Sequence, residues 1–380
     1  MKSSLFLVLA AARLAAGCTT VLVPTDNGTV IARTMELGIP FMPSELEKVY
    51  IHSRNTSVAT LRGSLPPSKF GFVAIQFNPA GNFTLPLGTT EGINEAGLTV
   101  SLQTHTLALY EPANLSKPVA IGDLTAAEYL LGCCATVDEA ADALAALNVV
   151  PTPLIGKSAI GSIHLSVQDS SGASRVLEYV DGALRVYDNT EVGVLTNDPS
   201  YEWQVGNLNQ YAAYPTSHSE ARFALKVKSR GPFTSFAVAS DGGETSTPVD
   251  PSHGTHTRFL PGGYTPPDRF VKMFLLKQTA VAHAPPRTID DGIALATGLA
   301  NTVHIPRGAI AGPGLLEYTN WAVLKVPSAR LFFYRTYENM QWKKLDLTKL
   351  DFSGATKYAP LALYEAGMGV REVSPSPTPL

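Results

Sequence analysis

The sequence predicts an α+β fold in which antiparallel sheets carry helices on their outer faces, and three observations predict it. Strand-like and helix-like blocks come in groups instead of alternating strictly, which argues against a doubly wound parallel sheet. Two hairpin signals, Asp26-Asn27-Gly28 and Asp181-Gly182, lie between apolar runs. No strand-GxGxxG-helix unit, Walker loop, Gly-x-Ser-x-Gly elbow or HExxH helix breaks that pattern.

In chain order, Lys2, the apolar run from Leu5 to Ala12 and the small residues Ala15, Ala16 and Gly17 form a secretory signal pattern over residues 1–17. The run is too short to span a bilayer, and no later stretch reaches the roughly 18 apolar residues that a span needs. A soluble, exported chain is expected. Val21–Val23 and Val30–Ala32 read as strands of the first hairpin, and Arg175–Val180 and Leu184–Asp188 as strands of the second. Helices are expected at Leu124–Cys134, at Val137–Leu147 behind the capping box Thr136-Val-Asp-Glu139, at Arg269–Ala282 behind Pro266-Pro267, and from Thr288 to Thr302. Strands follow at Trp321–Val326, Arg330–Tyr337 and Trp342–Leu347. Without a repeat or an internal linker, residues 18–365 read as one domain, and the Ser/Pro-rich residues 366–380 as a disordered tail.

Composition narrows the function. A net charge of −3 with no Lys/Arg block leaves no electrostatic footprint for nucleic acid or an anionic membrane. Four sequons, at Asn27, Asn55, Asn82 and Asn114, agree with export. Three cysteines are too few for a disulfide scaffold: Cys133 and Cys134 fall in an apolar helical block and read as a buried thiol pair, with a strained vicinal disulfide as the alternative. His253 and His256 lack a nearby third ligand, so no metal is expected there. Phe332-Phe-Tyr334 reads as core strand.

Cys18 carries the chemistry. A small-x-small cleavage after Gly17 would make it the first residue, with a free α-amino group of pKa about 7.7–8.0 beside the thiol. Nucleophile and base would then belong to one residue. Folding about Asp26-Asn27-Gly28 brings Arg33 within a pairing step or two of Cys18, where a fixed positive charge favours thiolate. Glu36 could orient the amine. Taken alone, Arg33 and Glu36 would read as a solvated charge pair.

The segments Cys18-Thr-Thr, Ala32-Arg33-Thr-Met-Glu36 and Glu91-Gly-Ile-Asn-Glu-Ala-Gly-Leu98 resemble the choloylglycine hydrolase and penicillin V acylase family. Gly193-Val-Leu-Thr-Asn197, Asn207-Leu-Asn-Gln, Leu260-Pro-Gly-Gly-Tyr-Thr-Pro-Pro-Asp-Arg269-Phe and Tyr334-Arg-Thr-Tyr-Glu-Asn339 continue the resemblance in the family's order, from Cys18 to about Leu347. It implies a four-layer αββα N-terminal-nucleophile hydrolase that cleaves a linear amide of a small N-acyl substrate. It also implies that no metal or organic cofactor is needed, and a dimer or tetramer. Position by position, it implies Cys18 as nucleophile, Arg33 as its electrostatic partner, Asn197 as oxyanion-hole donor and Arg269 as a second charge. The other oxyanion position falls on Thr104, or on Gln103 if the alignment slips by one, and would act through a backbone N–H. The family most often has Asp where this chain has Glu36.

Two alternatives start from the same cysteine. Leu14-Ala-Ala-Gly-Cys18 loosely resembles a bacterial lipobox, which would make the chain a lipid-anchored binding protein. A thioester on Cys18 discharged to an amine instead of water would make it an acyltransferase.

Overall fold

The computed structural model describes residues 16–37, 47–77, 88–152, 162–212, 222–230, 233–241, 260–312 and 315–364. The tail, Asn82, His253 and His256 lie outside them.

Two large sheets form the centre. A six-stranded sheet runs in the order Val194–Leu195, Ala16–Thr25, Gly28–Leu37, Thr319–Val326, Leu331–Thr336 and Lys343–Asp346, antiparallel throughout. A ten-stranded sheet runs in the order Arg222–Arg230, Phe233–Asp241, Ala183–Asp188, Ser174–Val180, Ile163–Gln168, Thr99–Thr104, Gly88–Asn94, Phe72–Phe77, Glu47–His52 and Leu361–Ala362. Among the described residues its only parallel pairing is between Ala183–Asp188 and Phe233–Asp241. Both expected hairpins form, the second with Asp181 and Gly182 at positive φ, as a two-residue turn requires.

Helices Pro266–His283 and Ile289–Thr302 cover the outer face of the six-stranded sheet; Ala126–Cys133 and Val137–Ala145 cover that of the ten-stranded sheet. Local chemistry fixes where they begin. Thr288 and Asp291 make a reciprocal capping box, and Thr265 and Thr136 each accept a first-turn N–H, each cap contributing about 1 kcal/mol. Gly292 lets its helix sit close on the first hairpin, since a Cβ there would lie 2.6 Å from Thr25 Cγ2.

The layers enclose three apolar clusters, and strand alternation sorts residues among them. Val21, Val23, Val30 and Ala32 face the helices with Phe270, Phe274 and Ala296. Leu98, Val100 and Leu165 pack on Leu130, Leu131 and Leu144. Between the sheets lie Cys18, Met35, Val73, Ile75, Ile93, Trp321, Val323, Phe332 and Tyr334. Full burial of each large apolar side chain contributes roughly 1.5–3 kcal/mol. This middle layer also holds polar residues, and they concentrate around Cys18.

The thiol pair expected at Cys133 and Cys134 is instead a vicinal disulfide. Cys133 ends a helix and Cys134 is its extended cap (φ −120°, ψ 148°), so the change of backbone direction brings the two sulfurs together.

Candidate active site

The first hairpin sets the geometry. Cys18 pairs with Met35 and Thr20 with Arg33, so their side chains share the face turned toward the ten-stranded sheet. Arg33 Nη2 donates to Cys18 Sγ at 3.2 Å and to the Leu102 carbonyl at 2.8 Å. Met35 Sδ lies 3.6 Å from the thiol. The Arg33 guanidinium sits 4.6 Å above the Trp321 ring and is fully buried.

Asn197 arrives from the other side, two residues beyond the strand that pairs with Thr20 and Val21. Its Oδ1 accepts from the Cys18 backbone N–H and from Arg269 Nη2, each at 2.8 Å. Two donors on that oxygen leave Nδ2 as the amide's own donor, directed at Thr104 O and Oγ1, both at 2.9 Å. Arg269 is in the first turn of its helix yet only 1% exposed. Its Nη1 donates to Cys18 O and Thr19 Oγ1, both at 2.6 Å, and its Nε to Tyr264 O at 2.8 Å.

The backbone N–H of Thr104 faces the Cys18 sulfur. Gln103 turns away: its Oε1 accepts from Thr20 Oγ1 at 2.8 Å and its Nε2 donates to Thr196 O at 3.0 Å, tying the two sheets together. Of the two expected positions, Thr104 is therefore the one at the thiol. Burial and, less strongly, the nearby Glu36 carboxyl push the Cys18 thiol up, while Arg33, Arg269 and the Thr104 N–H pull it back.

Glu36 lies on the other face of its strand. Pairing with Gly17 puts its side chain on the helix face, opposite to the thiol and Arg33. The Cys18 N–H goes to Asn197, while Glu36 Oε1 accepts from Thr319 Oγ1 at 2.9 Å. Period-2 alternation separates positions 33 and 36, a parity that the short motif conceals.

Burial pushes the Glu36 carboxyl from 4.5 up to about 7, against the pull of Arg269. A carboxyl held more tightly protonated in the folded state stabilises the fold fully below pH 4.5 and loses that contribution as pH rises through 7. Across this window the loss is on the order of 3 kcal/mol. Glu36→Gln should flatten this part of the stability curve, measured by urea unfolding at intervals of pH.

One buried group had no role assigned from sequence. Glu91 lies between two cations: its Oε2 is 3.6 Å from Arg33 Nε, and its Oε1 accepts from Lys325 Nζ and, at 3.2 Å, from Ser101 Oγ. All three charged side chains are fully buried. In the sequence, Glu91 is marked only by its place at the head of the Glu91-Gly-Ile-Asn-Glu-Ala-Gly-Leu98 segment. Glu91→Ala would leave two unpaired buried cations and should cost about 3–5 kcal/mol of stability, measurable by denaturant unfolding.

A sequence model of the family described as linear amide C–N hydrolases, choloylglycine hydrolase family, matches residues 18–358, beginning at Cys18 itself. The bile salt hydrolase/transferase of Clostridium perfringens is 27% identical over 271 residues, covering 70% of this chain and 74% of that protein. The penicillin V acylase of Pectobacterium atrosepticum is 32% identical over 126 residues, 32% of this chain and 33% of its own. Among solved structures, a cysteine-to-alanine mutant of the Clostridium perfringens conjugated bile acid hydrolase has a TM-score of 0.73 at 21% identity, covering 94% of this chain and all of that one. The penicillin V acylase of Agrobacterium tumefaciens has a TM-score of 0.65 at 22% identity, covering 89% of each chain. These structural matches establish the α+β fold of N-terminal-nucleophile hydrolases.

Proposed function

We infer that this chain, which belongs to the choloylglycine hydrolase family of linear amide C–N hydrolases, acts through Cys18 as an N-terminal nucleophile. As a family member it is a hydrolase of carbon–nitrogen bonds other than peptide bonds. The observation that carries the finer reading is convergence on one residue: Arg33 on the Cys18 sulfur at 3.2 Å, Asn197 on its nitrogen at 2.8 Å and Arg269 on its carbonyl at 2.6 Å.

Loss of Gly17 would free the Cys18 α-amine as base. It takes the thiol proton while sulfur attacks the carbonyl carbon of an N-acyl amide. The oxyanion forms between the Thr104 N–H and Asn197 Nδ2, whose direction is held by Arg269. The C–N bond then breaks, the amine leaves with the proton from the α-ammonium, and a thioester remains on Cys18. Water, deprotonated by the α-amine, attacks the thioester, releases the acid and restores the thiol.

Export through a signal at residues 1–17 is part of this reading, because it supplies the cut that exposes Cys18. The sequon residues Asn27 and Asn55 are exposed and so open to glycosylation. A lipid anchor on Cys18 is disfavoured: the residue is 1% exposed, with its sulfur enclosed between the sheets. The acyltransferase reading keeps support from the Clostridium perfringens relative, a bile salt hydrolase/transferase.

Mass spectrometry of the N-terminal peptide of the exported protein, with and without a thiol alkylator, tests the proposal. A chain starting at Cys18 and labelled there is expected. A retained Gly17 or a lipidated Cys18 would remove the base and refute it.

A further inference from the structure

Behind Thr104 and Asn197 lies a second buried cluster with its own chemistry. Three adjacent strands of the ten-stranded sheet, or the residue following one, bring His105, His164 and Glu178 together, each at most 1% exposed. One ring nitrogen each of His105 and His164 and a Glu178 carboxylate oxygen lie within 4.8 Å of one another. Glu178 Oε1 is 3.0 Å from His164 Nδ1 and 3.5 Å from His105 Nε2.

The outward nitrogens decide the tautomers. His164 Nε2 lies 2.8 Å from the Thr196 carbonyl, which can only accept, so that nitrogen carries the proton. His105 Nδ1 lies 2.8 Å from Asp198 Oδ1, somewhat off line for an ideal hydrogen bond. Asp198 already accepts from Thr106 Oγ1 at 2.8 Å and from the N–H groups of Thr106 and Leu107 at 3.2 and 3.1 Å, so it acts as the acceptor toward His105 as well. With those protons outward, the inward nitrogens, His105 Nε2 and His164 Nδ1, face the Glu178 carboxylate, which also accepts from the Tyr201 N–H at 3.1 and 3.2 Å.

Protons alone fill this arrangement badly. One proton can bridge Glu178 to His164, but it leaves the His105 lone pair facing the same oxygen. A second would put two imidazolium rings 5.0 Å apart and nearly parallel in a buried site. One divalent cation satisfies all three inward donors at once. Metal–ligand distances of about 2.0–2.1 Å and tetrahedral angles place ligand atoms about 3.3 Å apart, and the two contacts to Glu178 Oε1, at 3.0 and 3.5 Å, bracket that value. Histidine ligands that hand their outer N–H to a carboxylate and a backbone carbonyl are the usual second shell of zinc.

We propose that His105, His164 and Glu178 form a zinc site, with water in the fourth position. It is structural: its outer partners, Asp198 and Thr196, flank Asn197, and His105 follows Thr104, so the ion would brace both segments around the thiol from behind. The proposal does not depend on the hydrolase reading.

The test uses folded Cys18→Ala protein, which removes the thiol as a competing ligand, produced in zinc-supplemented medium and passed through gel filtration. Elemental analysis should find one zinc per chain, and X-ray absorption should show two imidazoles and oxygen donors near 2.0–2.1 Å. His164→Gln and Glu178→Gln, checked for folding by circular dichroism, should each weaken zinc binding more than about tenfold. His253→Ala/His256→Ala should leave the stoichiometry unchanged. A zinc-free chain, a zinc shell with fewer than two imidazoles, or zinc retained through both His164→Gln and Glu178→Gln would overturn the assignment.

Discussion

Cys18→Ala should leave a folded protein whose amide hydrolysis has fallen by at least about 10⁴-fold. The fold should survive because the change removes one sulfur from a strand held by its ladder, and Arg33 Nη2 keeps the Leu102 carbonyl as acceptor. The chemistry should not, because no other free cysteine lies among the described residues and the disulfide-bonded pair cannot substitute. Initial rates on a panel of N-acyl amides, paired with thermal unfolding, check both halves. A chain carrying an uncleavable extra residue before Cys18 should fail equally, since its thiol is intact but its amine is acylated. Turnover retained by that extended chain would mean that the base is not the α-amine.

The second large effect concerns Asn197. Asn197→Ala deletes the proposed oxyanion donor and the acceptor for both Cys18 N–H and Arg269 Nη2. Loss of one oxyanion donor typically lowers kcat by about 10²–10³-fold. Leaving a buried guanidinium N–H unpaired adds about 1–3 kcal/mol of destabilisation. Steady-state kinetics should show the loss mainly in kcat, with KM little changed, since the bond to the oxyanion strengthens only as charge develops. A change confined to KM would place Asn197 in substrate binding instead.

Local signals carried the hairpins, the capped helices and the C-terminal strands, where turn chemistry and amphipathic periods agree. The centre of the ten-stranded sheet was not legible. Its strands Gly88–Asn94 and Thr99–Thr104 are buried along both faces yet carry Glu91, Asn94, Thr99, Ser101, Gln103 and Thr104. Buried polar residues erase the apolar alternation by which a strand is recognised. At the site, Cys18 and Arg33 could be paired from the hairpin alone, because a two-residue turn sets the register. Asn197 and Arg269 lie 179 and 251 residues from Cys18, so only family resemblance could bring them near. The face that Glu36 occupies also required the strand parity, which a short motif does not carry. Glu91 and the His105, His164 and Glu178 cluster stayed hidden because each becomes unusual only when buried beside its partners.

The bond between Gly17 and Cys18 lies inside the first hairpin, with Gly17 buried opposite Glu36. A Cβ at position 17 would come within 2.6 Å of Glu317 Oε1 and 3.3 Å of Arg269 Nη2, so the peptide runs through a slot cut to glycine width. Proteases take extended, exposed chain, typically at loop tips and termini. A foreign enzyme can therefore reach this bond only while the hairpin is still open, during or just after synthesis. If the chain is cut before Cys18 as proposed, maturation becomes a race: once the strands zip, a chain that has escaped cleavage is sealed, and only chemistry from within its own fold can still release it.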